Sequence, residues 1–171
     1  MPNIESRLAS LGIELPEVYP PVANYVSSTR SGNIVQISGQ LSTDANGGIK
    51  GTVGVDCSLA DGIAAARLCA INLIAQFRAA AGGDLDRVTR VLRLGGYVQA
   101  GPEFYEIPSV MNGCSDLIVD VFGDAGRHAR SAIGVYRLPF NFAVEVDASI
   151  EILQSPTKSI DNPGEAAIRP T

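Results

Sequence analysis

Hydrophobic and polar positions alternate in two distinct periods along this chain, and the switches between them predict the elements. From Phe142 to Leu153, Val144, Val146, Ala148, Ile150 and Ile152 alternate with Glu145, Asp147, Ser149 and Glu151. This period of two describes a strand with one buried face and one face that is polar or shared with a partner. Between Ile63 and Phe77 the spacing becomes helical through Ile63, Ala66, Ala70, Ile74 and Phe77, and Leu68, Ile71 and Leu73 widen the apolar band. Ser58 and Asp61 resemble a capping box before this helix, and Gly82-Gly83 provides the stop. So broad an apolar band calls for cover on more than one side, from a sheet and from a neighbouring subunit. A second helix is predicted from Glu106 to Phe122, with Val110, Cys114, Leu117 and Val121 on one row, Met111, Ile118 and Phe122 beside them, and Gly123 at its end.

The remaining elements are shorter. A helix over Asn3 to Leu11 closes at Gly12, and the prolines at 16, 20 and 21 make Leu15 to Val22 an extended lead-in. A hairpin is predicted from Tyr25–Thr29 and Ile34–Ser38 around a turn at Arg30-Ser31-Gly32-Asn33, and Asn46-Gly47-Gly48 forms the next turn. Val91 to Val98 reads as a strand whose Gly95-Gly96 pair marks a bulge or a close backbone approach. Ser131 to Arg137 reads as another strand. The order after the N-terminal segment is β-β-α-β-α-β-β, an α+β fold with two helices on one face of a mixed sheet. Residues 1–153 are expected to form one domain, with 1–24 as an N-terminal extension and 154–171, which holds three prolines and no periodicity, as a disordered tail.

Composition narrows the chemistry. The 171 residues carry 18 acidic and 13 basic side chains, a net charge of −5 that disfavours binding through many phosphates. A single His rules out sites that need two imidazoles. Cys57, Cys69 and Cys114 are widely spaced and odd in number, which suits buried thiols rather than a disulfide framework. Met1 to Arg7 lacks the apolar core of a signal peptide, and Arg67, Asn72 and Gln76 interrupt the most apolar helix. The expectation is a cytoplasmic protein with neither a membrane nor a nucleic-acid partner. There is no Gly-x-Ser-x-Gly elbow, no phosphate-binding Gly-x-x-x-x-Gly-Lys loop and no carboxylate-rich calcium loop.

Four side chains remain as candidates for chemistry. His128 lies between Arg127 and Arg130 and reads as a loop residue bonded to backbone rather than as a triad member. Arg130 opens a strand, where its guanidinium can take a small carboxylate through two hydrogen bonds or pair with Glu145 or Asp147. Glu145 can be a solvated rung of its strand, and Tyr25 an aromatic at a strand start.

Arg130-Ser131-Ala132-Ile133-Gly134-Val135, followed by Leu138-Pro139 and Val144-Glu145-Val146-Asp147, resembles the C-terminal motif of the reactive intermediate deaminase (Rid, or YjgF) superfamily. Ile37-Ser38-Gly39-Gln40-Leu41 resembles the motif on that family's second strand, and the similarity runs from about Tyr25 to Ile152. The resemblance implies a chorismate-mutase-like protomer of the bacillus type, assembled as a homotrimer with a cleft at each subunit interface. Active members hydrolyse enamines and imines such as 2-aminoacrylate to a 2-keto acid and ammonia, with no cofactor or metal. On this resemblance Arg130 matches the arginine that clamps the substrate carboxylate, and Glu145, fifteen positions later, matches the glutamate that positions water. Tyr25, thirteen positions before Ser38, matches the family tyrosine, while Ser38, Gly39, Asn112 and Ala132 fall at substrate-binding positions. Ala132 stands where many members carry Cys, and Asn24-Tyr25 replaces Pro-Tyr, so the chain resembles a divergent branch. The rival readings are a non-catalytic module that binds a keto acid or other small carboxylate and, less favoured by the acidic balance, an endoribonuclease.

Overall fold

The computed structural model describes residues 3–19 and 23–153; the predicted tail at 154–171 lies outside them. The elements are α1 (Ile4–Ser10), β1 (Ser28–Ser31), β2 (Ile34–Leu41), α2 (Leu59–Ala80), β3 (Val88–Gln99), α3 (Ile107–Phe122), β4 (Ala129–Val135) and β5 (Val144–Ile152), with 3-10 turns at Leu85–Arg87, Gly123–Gly126 and Pro139–Asn141. The five strands form one mixed sheet in the order β1-β2-β5-β3-β4. β3 and β4 are parallel, joined by the α3 crossover, and the other neighbours are antiparallel.

The two long helices cover one face of this sheet. Along β5 every even-numbered residue from Val144 to Ile152 is buried and every odd one is half-exposed. The even set packs with Ala66, Cys69, Leu73 and Phe77 of α2 and with Val110, Cys114 and Leu117 of α3 in one core. Ser58 and Asp61 form the capping box that starts α2, and positive φ at Gly82 and Gly83 follows its end. This helix is long and apolar enough to cross a membrane by length and composition. Here it is held against the sheet and α3, and Asn72 is anchored through Nδ2 to the carbonyls of Leu41 and Thr43. Its outer flank at Leu68 and Ile71 faces residues 14–19, so the chain's own N-terminal extension supplies the cover on that side. Cys57, Cys69 and Cys114 are free and buried. Burial pushes the Cys114 thiol up to about 12 and Cys69 well above its ordinary value, so neither forms a thiolate near neutral pH.

The structure corrects the expected boundaries in three places. The hairpin turn contains only Gly32 and Asn33, so Arg30 and Ser31 belong to β1 and pair with Val35 and Ile34. Tyr25 to Ser27 lie outside the strand, since the regular pairing of β1 with β2 runs from Ser28 opposite Ile37 to Ser31 opposite Ile34, and on its other edge β2 carries a bulge against β5 between Ile37 and Gln40. At the bulge the Ser38 hydroxyl donates to the Val26 carbonyl at 2.7 Å. β4 spans Ala129–Val135 rather than Ser131–Arg137, and β5 spans Val144–Ile152. Gly95-Gly96 forms no bulge, since the register of β3 with both neighbours is continuous there. The pair marks a close approach on both faces. A Cβ at Gly95 would lie 2.6 Å from Asp147 Oδ1, and one at Gly96 would overlap the side chain of Met111 in α3.

Candidate functional site

Cross-strand neighbours share a face, so register places the candidate residues. Arg130 is in register with Leu94, which is in register with Ala148. Both partners are buried beneath the helices, so Arg130 points to the helix side at the β4 edge. Glu145 is in register with Tyr97, which is in register with Ile133, a half-exposed residue on the open face. Arg130 and Glu145 thus point to opposite faces, and two strand spacings with three residues of offset put about 14 Å between their Cα atoms. A single protomer does not bring them together.

The Arg130 side chain lies against α3. Its Nη1 donates to Asn112 Oδ1 at 3.0 Å and to Ser115 Oγ at 3.0 Å, while Nη2 approaches the Pro108 carbonyl at 3.5 Å. Both Nη1 hydrogens are used, whereas among the described residues Nε has no partner and Nη2 only a long one, so the Nε–Nη2 edge can take a ligand. Neither Glu145 nor Asp147 pairs with Arg130, which settles the ion-pair alternative. Asp147 is taken by Arg93 at 3.4 Å and accepts from the Tyr97 hydroxyl at 2.8 Å. Ala132, two residues after Arg130 on the same side of β4, packs at the margin of the core.

Behind Arg130 stands His128. Its Nδ1 is 2.6 Å from the Gly126 carbonyl, the backbone bond expected of it, and its Nε2 is 2.9 Å from Ser115 Oγ. Burial lowers its pKa first of all, and the Arg130 charge lowers it further, so the imidazole is neutral near pH 7. Sequence reasoning passed over Ser115, although two spacings point to it. Asn112 and Ser115 are three apart on one helix, and His128 and Arg130 are two apart at the start of one strand.

A second group gathers on the open face at β2 and β5. Glu145 is half-buried, and burial raises its pKa above the ordinary carboxylate value, with the Asp147 charge adding to the rise. Gly39, in the bulge of β2, lies directly against it, since a Cβ there would fall on Glu145 Oε1 and lie 2.9 Å from its Cδ. Ser38 is held by its bond to Val26, and Tyr25, exposed, is the residue before that anchor. The structure therefore sets Gly39 against Glu145 with Ser38 beside it in the chain, and Arg130 against Asn112 with Ala132 on the same side of β4, while no contact joins the Tyr25 side chain to any of them among the described residues. A groove of 840 Å³ between residues 14–19 and the outer flank of α2 includes none of these residues. Among the described residues no cluster of three or more His, Cys, Asp or Glu is placed to hold a metal ion.

This fold and these motifs define a class. Residues 5–151 match the family model described as "YjgF/chorismate_mutase-like, putative endoribonuclease", and the chain belongs to that family. The protein TCP17 of Trypanosoma cruzi is 48% identical over 152 residues, covering 88% of this chain and 94% of that protein. The crystal structure of Atu1372 from Agrobacterium tumefaciens, described as of unknown function, is 48% identical with a TM-score of 0.82, over 87% of this chain and 92% of that one. RidA from the Antarctic bacterium Psychrobacter sp. PAMC 21119 is more distant, at 25% identity and a TM-score of 0.54 over 77% of this chain and 91% of that one. The chain is thus a divergent member, nearer to TCP17 and Atu1372 than to RidA.

Proposed function

We propose that the protein hydrolyses small imines or enamines that carry a carboxylate, in clefts where the Arg130 half-site of one protomer meets the Glu145 half-site of the next. The observation that carries this reading is the Arg130 guanidinium, held by Asn112 and Ser115 and paired with no carboxylate among the described residues, so its charge is available to an anionic ligand. The division of the motif residues between two faces supports a closed cyclic assembly such as a trimer, in which each interface joins unlike surfaces. Glu145 suits a proton acceptor, because burial and the Asp147 charge raise its pKa above the ordinary carboxylate value and make it a stronger base toward water.

In the cleft the substrate carboxylate would lie on the Nε–Nη2 edge of Arg130. An enamine first gains a proton at its β-carbon to become the iminium, whose carbon is electrophilic. Water held by Glu145 adds to that carbon and gives its proton to the carboxylate, forming a carbinolamine. Glu145 returns the proton to nitrogen and then takes the carbinolamine hydroxyl proton as the C–N bond breaks, and it passes that proton to the departing ammonia, so that a 2-keto acid and ammonium leave. Holding the water and the carbon in reach supplies most of the acceleration, since the substrate is already reactive. The net charge of −5 weighs against RNA as the substrate.

Subunit complementation tests the reading. With 2-aminoacrylate generated by a serine dehydratase, Arg130→Ala and Glu145→Gln should each lose keto-acid release above background. After the two variants are unfolded together and refolded, random assembly leaves both native residues at about a quarter of the interfaces, and about a quarter of wild-type activity should return. Inactive variants that never complement would place both residues in one protomer's site and overturn the shared cleft. Full activity in Arg130→Ala would overturn the reading as a whole.

A further inference from the structure

We infer that Ser115 and His128 are positioning residues, the two members of a one-directional hydrogen-bond chain that aims the Arg130 guanidinium. The inference rests on the reading of Arg130 as the carboxylate clamp and adds what sets its orientation.

The direction of the chain follows from the chemistry of its groups. The Gly126 carbonyl can only accept, so the short contact at 2.6 Å requires the proton on His128 Nδ1. With the imidazole neutral, Nε2 then carries a lone pair and no hydrogen. The contact at 2.9 Å between Nε2 and Ser115 Oγ must therefore use the hydroxyl hydrogen, with serine as donor. That leaves Oγ only lone pairs to offer, and it accepts from Arg130 Nη1 at 3.0 Å. Each link satisfies the next with none reversed. A backbone carbonyl fixes the tautomer, the tautomer fixes the hydroxyl rotor, and the rotor turns a lone pair toward the guanidinium.

Two features separate this from incidental packing. Ser115 and Asn112 take the two hydrogens of the same nitrogen, so the guanidinium plane is set from two points one helical turn apart, with Nη2 making only the 3.5 Å contact to the Pro108 carbonyl of α3 and Nε unpartnered among the described residues. Every group in the chain is also neutral, so Arg130 is oriented without losing charge to a carboxylate. The same Ser–His contact could suggest a nucleophile, but Arg130 Nη1 already engages one of the two Oγ lone pairs.

The experiment measures pyruvate binding by calorimetry alongside steady-state kinetics on 2-aminoacrylate. Ser115→Ala should weaken pyruvate binding and raise KM by about tenfold, the scale of one lost bond to a charged group, with kcat within about twofold of wild type. Ser115→Thr, which keeps the hydroxyl, should restore most of the affinity. His128→Leu should act in the same direction, and the Ser115→Ala/His128→Leu pair should be no worse than Ser115→Ala alone, because both cut one chain. Thermal melts identify any variant that fails to fold, and Ser115→Thr with His128→Gln then carry the comparison. If Arg130→Ala abolishes pyruvate binding while Ser115→Ala and His128→Leu leave it unchanged, the clamp reading stands and the positioning chain is wrong. If Arg130→Ala binds pyruvate normally, the clamp itself fails and the chain fails with it. Covalent labelling of Ser115 by a fluorophosphonate would also overturn the assignment, since it would show a nucleophile.

Discussion

Gly39 offers the sharpest separation of catalysis from stability. A methyl group added there would fall on Glu145 Oε1, with the carboxyl carbon only 2.9 Å away. Carbon atoms settle at about 3.5–4.0 Å, so the carboxyl group must retreat by about 0.6–1 Å, and its near oxygen by more. Glu145 makes no hydrogen bond among the described residues that would resist this movement, and its side chain is partly open to solvent. The fold therefore loses little, and alanine in a strand interior is favoured over glycine by about 0.5–1 kcal/mol. A misplacement of about 1 Å in a water-positioning group costs about a hundredfold in rate, equivalent to about 2.7 kcal/mol in the barrier. Gly39→Ala should thus lower kcat/KM for 2-aminoacrylate about a hundredfold while the melting temperature stays level or rises by about 2–3 °C. Initial rates of keto-acid release and thermal unfolding of the same preparation check both halves. Activity within threefold of wild type, alongside an inactive Glu145→Gln, would refute the claim that Gly39 keeps the carboxylate in place. A drop of more than about 5 °C would show that the backbone, not the carboxylate, absorbs the methyl group.

Other consequences follow from single contacts. Arg130→Lys keeps the charge but loses the fork that meets Asn112, Ser115 and a ligand together, so pyruvate affinity measured by calorimetry should fall at least about tenfold. Protonation of Glu145 removes the acceptor for water, so the acid limb of the kcat/KM profile for 2-aminoacrylate should lie above the ordinary carboxylate pKa. Because the folded-state value is raised, the native state binds the proton more tightly, and stability falls as pH rises from the unfolded pKa through the folded one. Glu145→Gln should therefore be more stable than wild type at pH 7 in urea melts, and should lose that advantage below pH 4. In the helices, a methyl group at Gly113 would overlap the Ile63 carbonyl of α2, whereas one at Gly62 would meet only the ends of Val53 and Val110 at 3.2–3.3 Å. Gly113→Ala should cost about 1–3 kcal/mol in urea melts despite its better helix propensity, and Gly62→Ala should stay within about 1 kcal/mol of wild type.

Much of the fold could be read because its determinants are local. The alternation in β5, the capping box at Ser58 and the apolar rows of α3 each declare themselves within one element, and each appears where it was expected. The site was less legible because it depends on parity between elements. Fifteen residues separate Arg130 from Glu145, but the 3-10 turn at Pro139–Asn141, with Phe140 and Asn141 at positive φ, interrupts the two-residue count. No alternation rule carries across that turn, so spacing could not reveal that the two side chains point to opposite faces. Tyr25 was misplaced for a similar reason. Regular pairing of β1 with β2 stops at Ser28 opposite Ile37, three residues after Tyr25, and the end of a ladder leaves no mark on hydrophobic periodicity.

The two arginines nearest these half-sites show how the same side chain serves opposite purposes. Arg93 on β3 meets Asp147 at 3.4 Å and Ser131 Oγ at 3.2 Å, and its charge is spent within the protomer, tying β3, β4 and β5 together on the open face. Arg130 is held as firmly in number of contacts but only by an amide oxygen, a hydroxyl and a backbone carbonyl. A carboxylate partner would fix a guanidinium just as well, but it would compete with any anionic ligand for the same fork and leave a neutral pair behind. Neutral acceptors fix geometry and leave the charge in place. Among the described residues no carboxylate sits on this guanidinium, which preserves its charge for a carboxylate that arrives from outside the chain.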